Sequence, residues 1–90
     1  MYSVKVTNKI NVDGINDIYE FNTVEPIRTI WKRLFGHIRQ CINANIGCRI
    51  IVRDYYTCEV ILWAYVRIME DGSIVARLNS CGKYHNYNFI

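Results

Sequence analysis

The segment that follows Thr23 constrains the fold most strongly, because its apolar residues recur with the period of an α-helix. They share one side of a helical wheel with no polar residue among them: Ile27, Ile30, Trp31, Leu34, Phe35, Ile38, Cys41 and Ile42. Thr23 is the predicted N-cap, and Glu25 and Pro26 suit the first helical turn. Asn45 and Gly47 indicate that the helix ends in a turn there. A helix with a single apolar side has to bury that side against another element.

Much of the remaining chain alternates between apolar and polar side chains, as half-buried strands do. The alternation predicts strands at residues 2–12, 15–22, 48–53, 58–69 and 73–81. The tight-turn sequences Asp13-Gly14 and Glu70-Asp71-Gly72 predict two hairpins, and residues 54–57 supply another turn. Residues 83–90 alternate weakly, which is typical of an edge strand or of a tail packed on the sheet.

The predicted order is β-β-α-β-β-β, an α+β domain with one amphipathic helix packed on a mainly antiparallel sheet. Ninety residues make a single domain, residues 1–90, and a hydrophobic content of 51% supplies its core. Met1 is followed by no apolar leader, and no run approaches the roughly 18 apolar residues of a membrane span. We therefore expect a cytoplasmic protein without a membrane segment.

Side-chain parity divides the predicted C-terminal strands into two unlike faces. One parity is apolar and is the predicted bed for the helix: Cys48, Ile50, Val52, Cys58, Val60, Leu62, Ala64, Val66, Ile68, Ile74, Ala76 and Leu78. The other parity mixes cationic, aromatic and aliphatic residues: Arg49, Ile51, Arg53, Tyr55, Glu59, Ile61, Trp63, Tyr65, Arg67, Met69, Val75, Arg77 and Asn79. Because the helix needs one bed only, this second face is uncovered unless the C-terminal tail and the arginine stems shield it.

The second face has the composition of an interface centre, in which tryptophan, tyrosine and arginine are enriched. Its predicted binding residues are Trp63, Tyr65, Arg67, Arg49, Arg53 and Arg77. The expected occupant is a protein partner or a second copy of this chain.

The polar side of the predicted helix offers a second candidate surface. Arg28, Lys32 and Arg39 form a cationic flank, and Arg33 and His37 lie on the other flank. Such a run of charge is typical of a solvated helix face, and it also suits contact with a phosphate backbone or an acidic protein surface.

No motif in the sequence assembles a catalytic centre. His37 is predicted on the polar helix side, and His85 lies in a tyrosine-rich tail, each away from a nucleophile or a metal partner. A Cys81–His85 pair is disfavoured because Cys81 is predicted to end a strand. The four cysteines are widely spaced, unlike the close ligand pairs of structural zinc sites, and are expected to be buried thiols. We expect no enzyme activity, no cofactor and no bound metal.

Three functions fit these patterns. The first is a binding protein that acts by steric docking, as small inhibitors encoded by phages and mobile elements do, anti-CRISPR proteins among them. The second is nucleic-acid binding, in which aromatic rings stack on unpaired bases while arginines hold phosphates. The third is a structural homodimer that uses the same face. The net charge of +3 gives only modest long-range attraction to nucleic acid, which favours the first function.

Overall fold

The computed structural model describes the backbone of residues 1–9, 16–80 and 83–89, and the side chains of residues 1–8 and 18–79. These residues form β1 (Tyr2–Lys9), β2 (Asn16–Thr23), α1 (Ile27–Asn43), β3 (Gly47–Asp54), β4 (Val60–Ile68), β5 (Ile74–Ser80) and β6 (Lys83–Phe89). The predicted α+β class is confirmed. The chain has one strand more than the predicted order, because the weakly alternating C-terminal segment forms β6. Within the described residues, no helix has both the length and the apolar composition needed to span a bilayer.

The strands form one antiparallel sheet in the order β2-β1-β3-β4-β5-β6. β1 lies inside the sheet, so that Val4 is opposite Phe21 of β2 and Val52 of β3. β6 pairs along β5 at the far edge. The backbone of the C-terminal segment therefore extends the sheet sideways instead of crossing its second face. The predicted Asp13-Gly14 turn lies outside the described residues.

The helix packs on one face of the sheet, over β3 and β4. Its buried side consists of Ile30, Leu34, Ile38 and Cys41. The sheet contributes one buried row from each of four strands: Val4, Val6, Cys48, Ile50, Val52, Leu62, Ala64, Val66, Ile74, Ala76 and Leu78. Burial of this apolar surface is the main favourable term for the fold. The predicted bed is confirmed for most of its positions, with Ile68 half-buried at its rim and Cys58 and Val60 exposed.

The predicted N-cap at Thr23 is wrong. Thr23 is the last residue of β2, and its hydroxyl accepts a hydrogen bond from the Glu25 N–H at 3.1 Å. The helix begins at Ile27, with Pro26 as the N-cap residue and no side-chain cap. Pairing with β1 keeps the chain extended through Thr23, and the residue that precedes a proline is itself disfavoured in a helical conformation.

The C-terminal end of α1 is the turn that the sequence predicts. Asn45 adopts the left-handed conformation, with φ of 55°. Its N–H donates to the Ile42 carbonyl at 3.2 Å, and the Ile46 N–H donates to the Cys41 carbonyl at 2.9 Å. This pair of hydrogen bonds is a Schellman motif, which satisfies the last helical carbonyls. Because β3 begins immediately at Gly47, the motif fixes the end of the helix close to the start of the strand.

The prediction that Cys58 is a buried strand residue is wrong. The Asp54 carboxylate accepts hydrogen bonds at 2.9 Å from the N–H groups of Tyr56 and Thr57, which stabilise a turn after β3. The Cys58 N–H then donates to the Asp54 carbonyl, and Cys58 has a φ of 61° and is exposed. The strand therefore starts at Val60, two residues later than predicted.

Gly36 lies on the exposed side of α1, where an added Cβ would meet no atom within 4 Å. We expect Gly36→Ala to raise the free energy of unfolding by about 0.5–1 kcal/mol, because alanine loses less backbone entropy in a helix. Urea denaturation of the two proteins measures the difference.

Gly72→Ala is the matched control, since a Cβ there also meets nothing within 4 Å but the residue has a φ of +85°. We expect it to lower the free energy of unfolding by about 1–2 kcal/mol, because an L-residue is strained in that conformation. Equal effects of the two alanines would contradict this account of the backbone.

Candidate functional site

The sheet face opposite α1 carries the six residues that the sequence singles out for binding, and we call it the open face. It is defined by Arg49, Ile51, Arg53, Ile61, Trp63, Tyr65, Arg67, Val75 and Arg77. In the described part of the chain, the one helix lies on the other side of the sheet. The aromatic and aliphatic members of the open face remain half-buried, and Arg49, Arg53 and Arg67 are exposed. Six predicted binding residues are thus brought onto one continuous surface.

The centre of the open face is an ordered aromatic pair. Trp63 and Tyr65 follow one another on the same side of β4, with ring centroids 5.9 Å apart and planes 9° from parallel. Tyr65 lies between Arg49 of β3 and Arg77 of β5 in the strand register. The Arg77 guanidinium donates a hydrogen bond to the Tyr65 hydroxyl at 2.9 Å. Because these contacts already fix the two rings, little side-chain entropy is lost when a partner binds to them.

The arginines around this pair differ in what they already bind. Arg53 donates to the Cys58 carbonyl at 3.2 Å, so it also stabilises the turn after β3. Arg49 and Arg67 make no ion pair or hydrogen bond with any described residue. Their guanidinium groups are accessible to carboxylates or phosphates of a partner.

The cationic flank lies on the opposite side of the molecule. Arg28, Lys32 and Arg39 are exposed on α1 and form no ion pair with described residues, whereas Arg33 pairs with Glu25 at 2.9 Å. The open face and the cationic flank cannot contact one flat partner surface together.

Arg39 also borders a groove of about 330 Å³ between α1 and β5, lined by Phe35, Ile38, Ile42, Asn43, Ala76 and Leu78 as well.

The prediction that His37 lies apart from any nucleophile or metal partner is wrong. Its Nε2 atom is 3.6 Å from the Sγ atom of Cys41 and 2.9 Å from the Oδ1 atom of Asn8. The Cys48 thiol joins this group, since a ring nitrogen of His37 and the two Sγ atoms all lie within 4.8 Å of one another. We call His37, Cys41, Cys48 and Asn8 the thiol–imidazole cluster.

One signal in the sequence could have revealed part of this cluster. His37 and Cys41 are four residues apart, which puts them on the same side of a helix one turn from each other. The contribution of Asn8 depends on the pairing of β1 with β3, which places Asn8 opposite Cys48. No spacing along the chain encodes that pairing.

The cluster resembles a catalytic Cys–His–Asn relay in composition but not in geometry. In such a relay the nucleophile and the orienting group approach different ring nitrogens. Here Cys41 and Asn8 both approach Nε2 of His37. Burial also raises the pKa of the Cys41 thiol and raises that of Cys48 to about 12, the Cys41 thiol adding to the rise at Cys48. A nucleophilic cysteine needs the reverse shift.

The disfavoured Cys81–His85 pair lies outside the described side chains. Comparison of the chain with protein families, with curated proteins and with solved structures finds no match.

The three described cysteines should differ sharply in reactivity, because Cys58 is exposed while Cys41 and Cys48 are buried. A pKa of about 12 in place of 9.0 lowers the thiolate fraction of Cys48 at neutral pH by roughly a thousandfold. We expect maleimide to modify Cys58 at least about a hundredfold faster than Cys48 in chelator-treated native protein. Peptide mass spectrometry after timed labelling measures both rates, and urea-unfolded protein is the control in which they converge. Similar rates in native buffer would contradict the burial of Cys48.

Proposed function

We propose that this protein is a non-catalytic binding protein that docks on a protein partner through the open face. The observation that carries the proposal is the stacked Trp63–Tyr65 pair on a sheet face that no described helix covers, bordered by Arg49 and Arg67, which make no ion pair or hydrogen bond with described residues. Aromatic and arginine anchors supply most of the binding energy in protein interfaces. A fixed sheet loses little entropy when such anchors are buried.

The charge and composition of the open face favour, as the partner, an acidic protein surface with apolar groups at its centre. Lys5 and Glu20, which are opposite each other in the sheet, already form an ion pair at 3.6 Å. The remaining open-face charges of β3, β4 and β5 are all arginines. A two-fold dimer through this face would bring the same cationic patch of both copies together, which is repulsive. An acidic partner instead gains charge-assisted hydrogen bonds.

The mode of action that follows from this surface is steric. A small domain that covers an acidic functional surface of another macromolecule blocks access to it without any chemistry of its own. Small inhibitors encoded by phages and mobile elements, including anti-CRISPR proteins, act in this way.

The proposal is tested by charge reversal on the open face. We expect Arg67→Glu to abolish capture of the partner from a host lysate, because it places a carboxylate where the partner's acidic group would dock. Arg28→Glu changes the same charge on the cationic flank and should leave capture intact. The melting temperatures of both variants should remain close to that of the wild type, since both side chains are exposed.

Loss of capture in Arg28→Glu with retention in Arg67→Glu would move the binding site to the helix. Light scattering of the purified chain tests the dimer independently. A stable dimer that dissociates in Arg67→Glu would replace the heterologous partner with a second copy.

Nucleic-acid binding is the second candidate, favoured by the position beside an aromatic pair of Arg49 and Arg67, which form no ion pair with described residues. If those two arginines each hold one phosphate of a single strand, log affinity falls with log salt at a slope of about −1.4. Fluorescence anisotropy should then record roughly sevenfold weaker binding when salt is raised fourfold. Absence of binding to single-stranded DNA and RNA at low salt eliminates this candidate.

A further inference from the structure

We propose that His37, Cys41 and Cys48 form a binding site for a zinc ion, with the side-chain amide of Asn8 as the fourth group. This inference is independent of the proposed docking function, because the cluster and the open face lie on opposite sides of the sheet. It assigns a role to a group of described polar side chains that the docking surface does not use.

The distances fit a tetrahedral ion. Zinc bonds are about 2.0–2.1 Å long to nitrogen and about 2.3 Å long to sulfur. In a tetrahedral site, a nitrogen and a sulfur ligand are therefore about 3.6 Å apart, and two sulfur ligands are about 3.8 Å apart. His37 Nε2 and Cys41 Sγ are 3.6 Å apart, and all three ligand atoms lie within 4.8 Å of one another. The Asn8 oxygen is 2.9 Å from Nε2 and 4.0 Å from the Cys41 sulfur. Three donor atoms are therefore nearly as close together as they would be around one ion, and the Asn8 oxygen is adjacent to two of them.

Rigid elements present these donors. His37 and Cys41 are one turn apart on α1, and the Schellman motif joins the end of that helix directly to the strand that carries Cys48. Asn8 lies opposite Cys48 in the adjacent strand. The Tyr19 ring of β2 packs edge-on against the imidazole, with centroids 6.4 Å apart. A site held by secondary structure loses little entropy when the ion binds.

The donor chemistry selects a borderline or soft cation. Two thiolates and an imidazole suit zinc, whereas magnesium and calcium require oxygen ligands. Two deprotonated thiols also neutralise the charge of a divalent ion at the edge of an apolar core. A weak or exchangeable fourth group, here an amide oxygen, distinguishes this set from a closed four-cysteine site.

Simple packing of buried thiols explains the cluster less completely. Free cysteines in a core behave as small apolar side chains and need no polar neighbour. Here an imidazole nitrogen and an amide oxygen, from two separate elements, are directed at the thiols. The His37 side chain is half-buried beside the thiols, whereas its position on the helical wheel predicts that it faces solvent.

Titration of the 90-residue chain with Co²⁺ and Zn²⁺, after reduction and removal of metal, tests the site directly. We expect one Co²⁺ per chain, with the visible bands of a tetrahedral ion and a thiolate charge-transfer band, and displacement of Co²⁺ by Zn²⁺. Zn²⁺ should also raise the melting temperature, because it binds the folded state. Reduced, folded protein that shows neither a thiolate band nor a zinc-dependent melting shift overturns the proposal.

Variants locate the ion. Cys48→Ser and His37→Gln should each lose the charge-transfer band or the tetrahedral spectrum, whereas Cys58→Ser, which removes an exposed thiol outside the cluster, should retain both. Asn8→Ala should weaken zinc binding by about 10–100-fold, as loss of a supporting group does. Far-ultraviolet circular dichroism of each metal-free variant establishes that it is folded. Binding that survives Cys48→Ser, or that is lost in Cys58→Ser, places the ion elsewhere and overturns the assignment.

Discussion

The packing of a single helix on one side of the sheet determines the rest of this structure. A sheet has two faces, and α1 can bury only one of them. The face that it covers contains side chains such as Ile50 and Leu62, which are fully buried. The other face is in contact with water, which is compatible with its exposed arginines and half-buried aromatic residues. The open face is therefore a direct consequence of having, within the described residues, one helix for six strands.

The junction between α1 and β3 has a second consequence. Three residues separate the helix from the strand, and the Schellman motif at Asn45 reverses the chain within them. This short reversal brings Cys41 and Cys48 together, although no motif in the sequence suggests that they meet. The same hydrogen bonds that end the helix thus build the thiol–imidazole cluster. The end of α1 therefore affects both the stability of the fold and the distance between the Cys41 and Cys48 thiols, since movement of the helix end would separate them.

Side-chain alternation and helical periodicity predicted the fold class, most of the core and the composition of the open face. These features depend on local periods that a folded chain must respect. The errors occurred where strand pairing or turn hydrogen bonds override the local pattern of apolar and polar residues. Pairing with β1 holds Thr23 in a strand in place of the predicted cap, and side-chain hydrogen bonds to Asp54 hold Cys58 in a turn. The helical wheel assigned His37 to solvent because it contains no information about Asn8, which is 29 residues away in sequence.

The helix seals one face of the sheet and leaves the other open. Two adjacent isoleucines of β3 test it with the same chemical change, since Ile50 is fully buried under α1 and Ile51 is half-buried on the open face. In urea denaturation, Ile50→Ala should lose about 2–5 kcal/mol of unfolding free energy. Ile51→Ala should lose about 1 kcal/mol or less. Losses of equal size would mean that the second face is also internal, and would contradict the account.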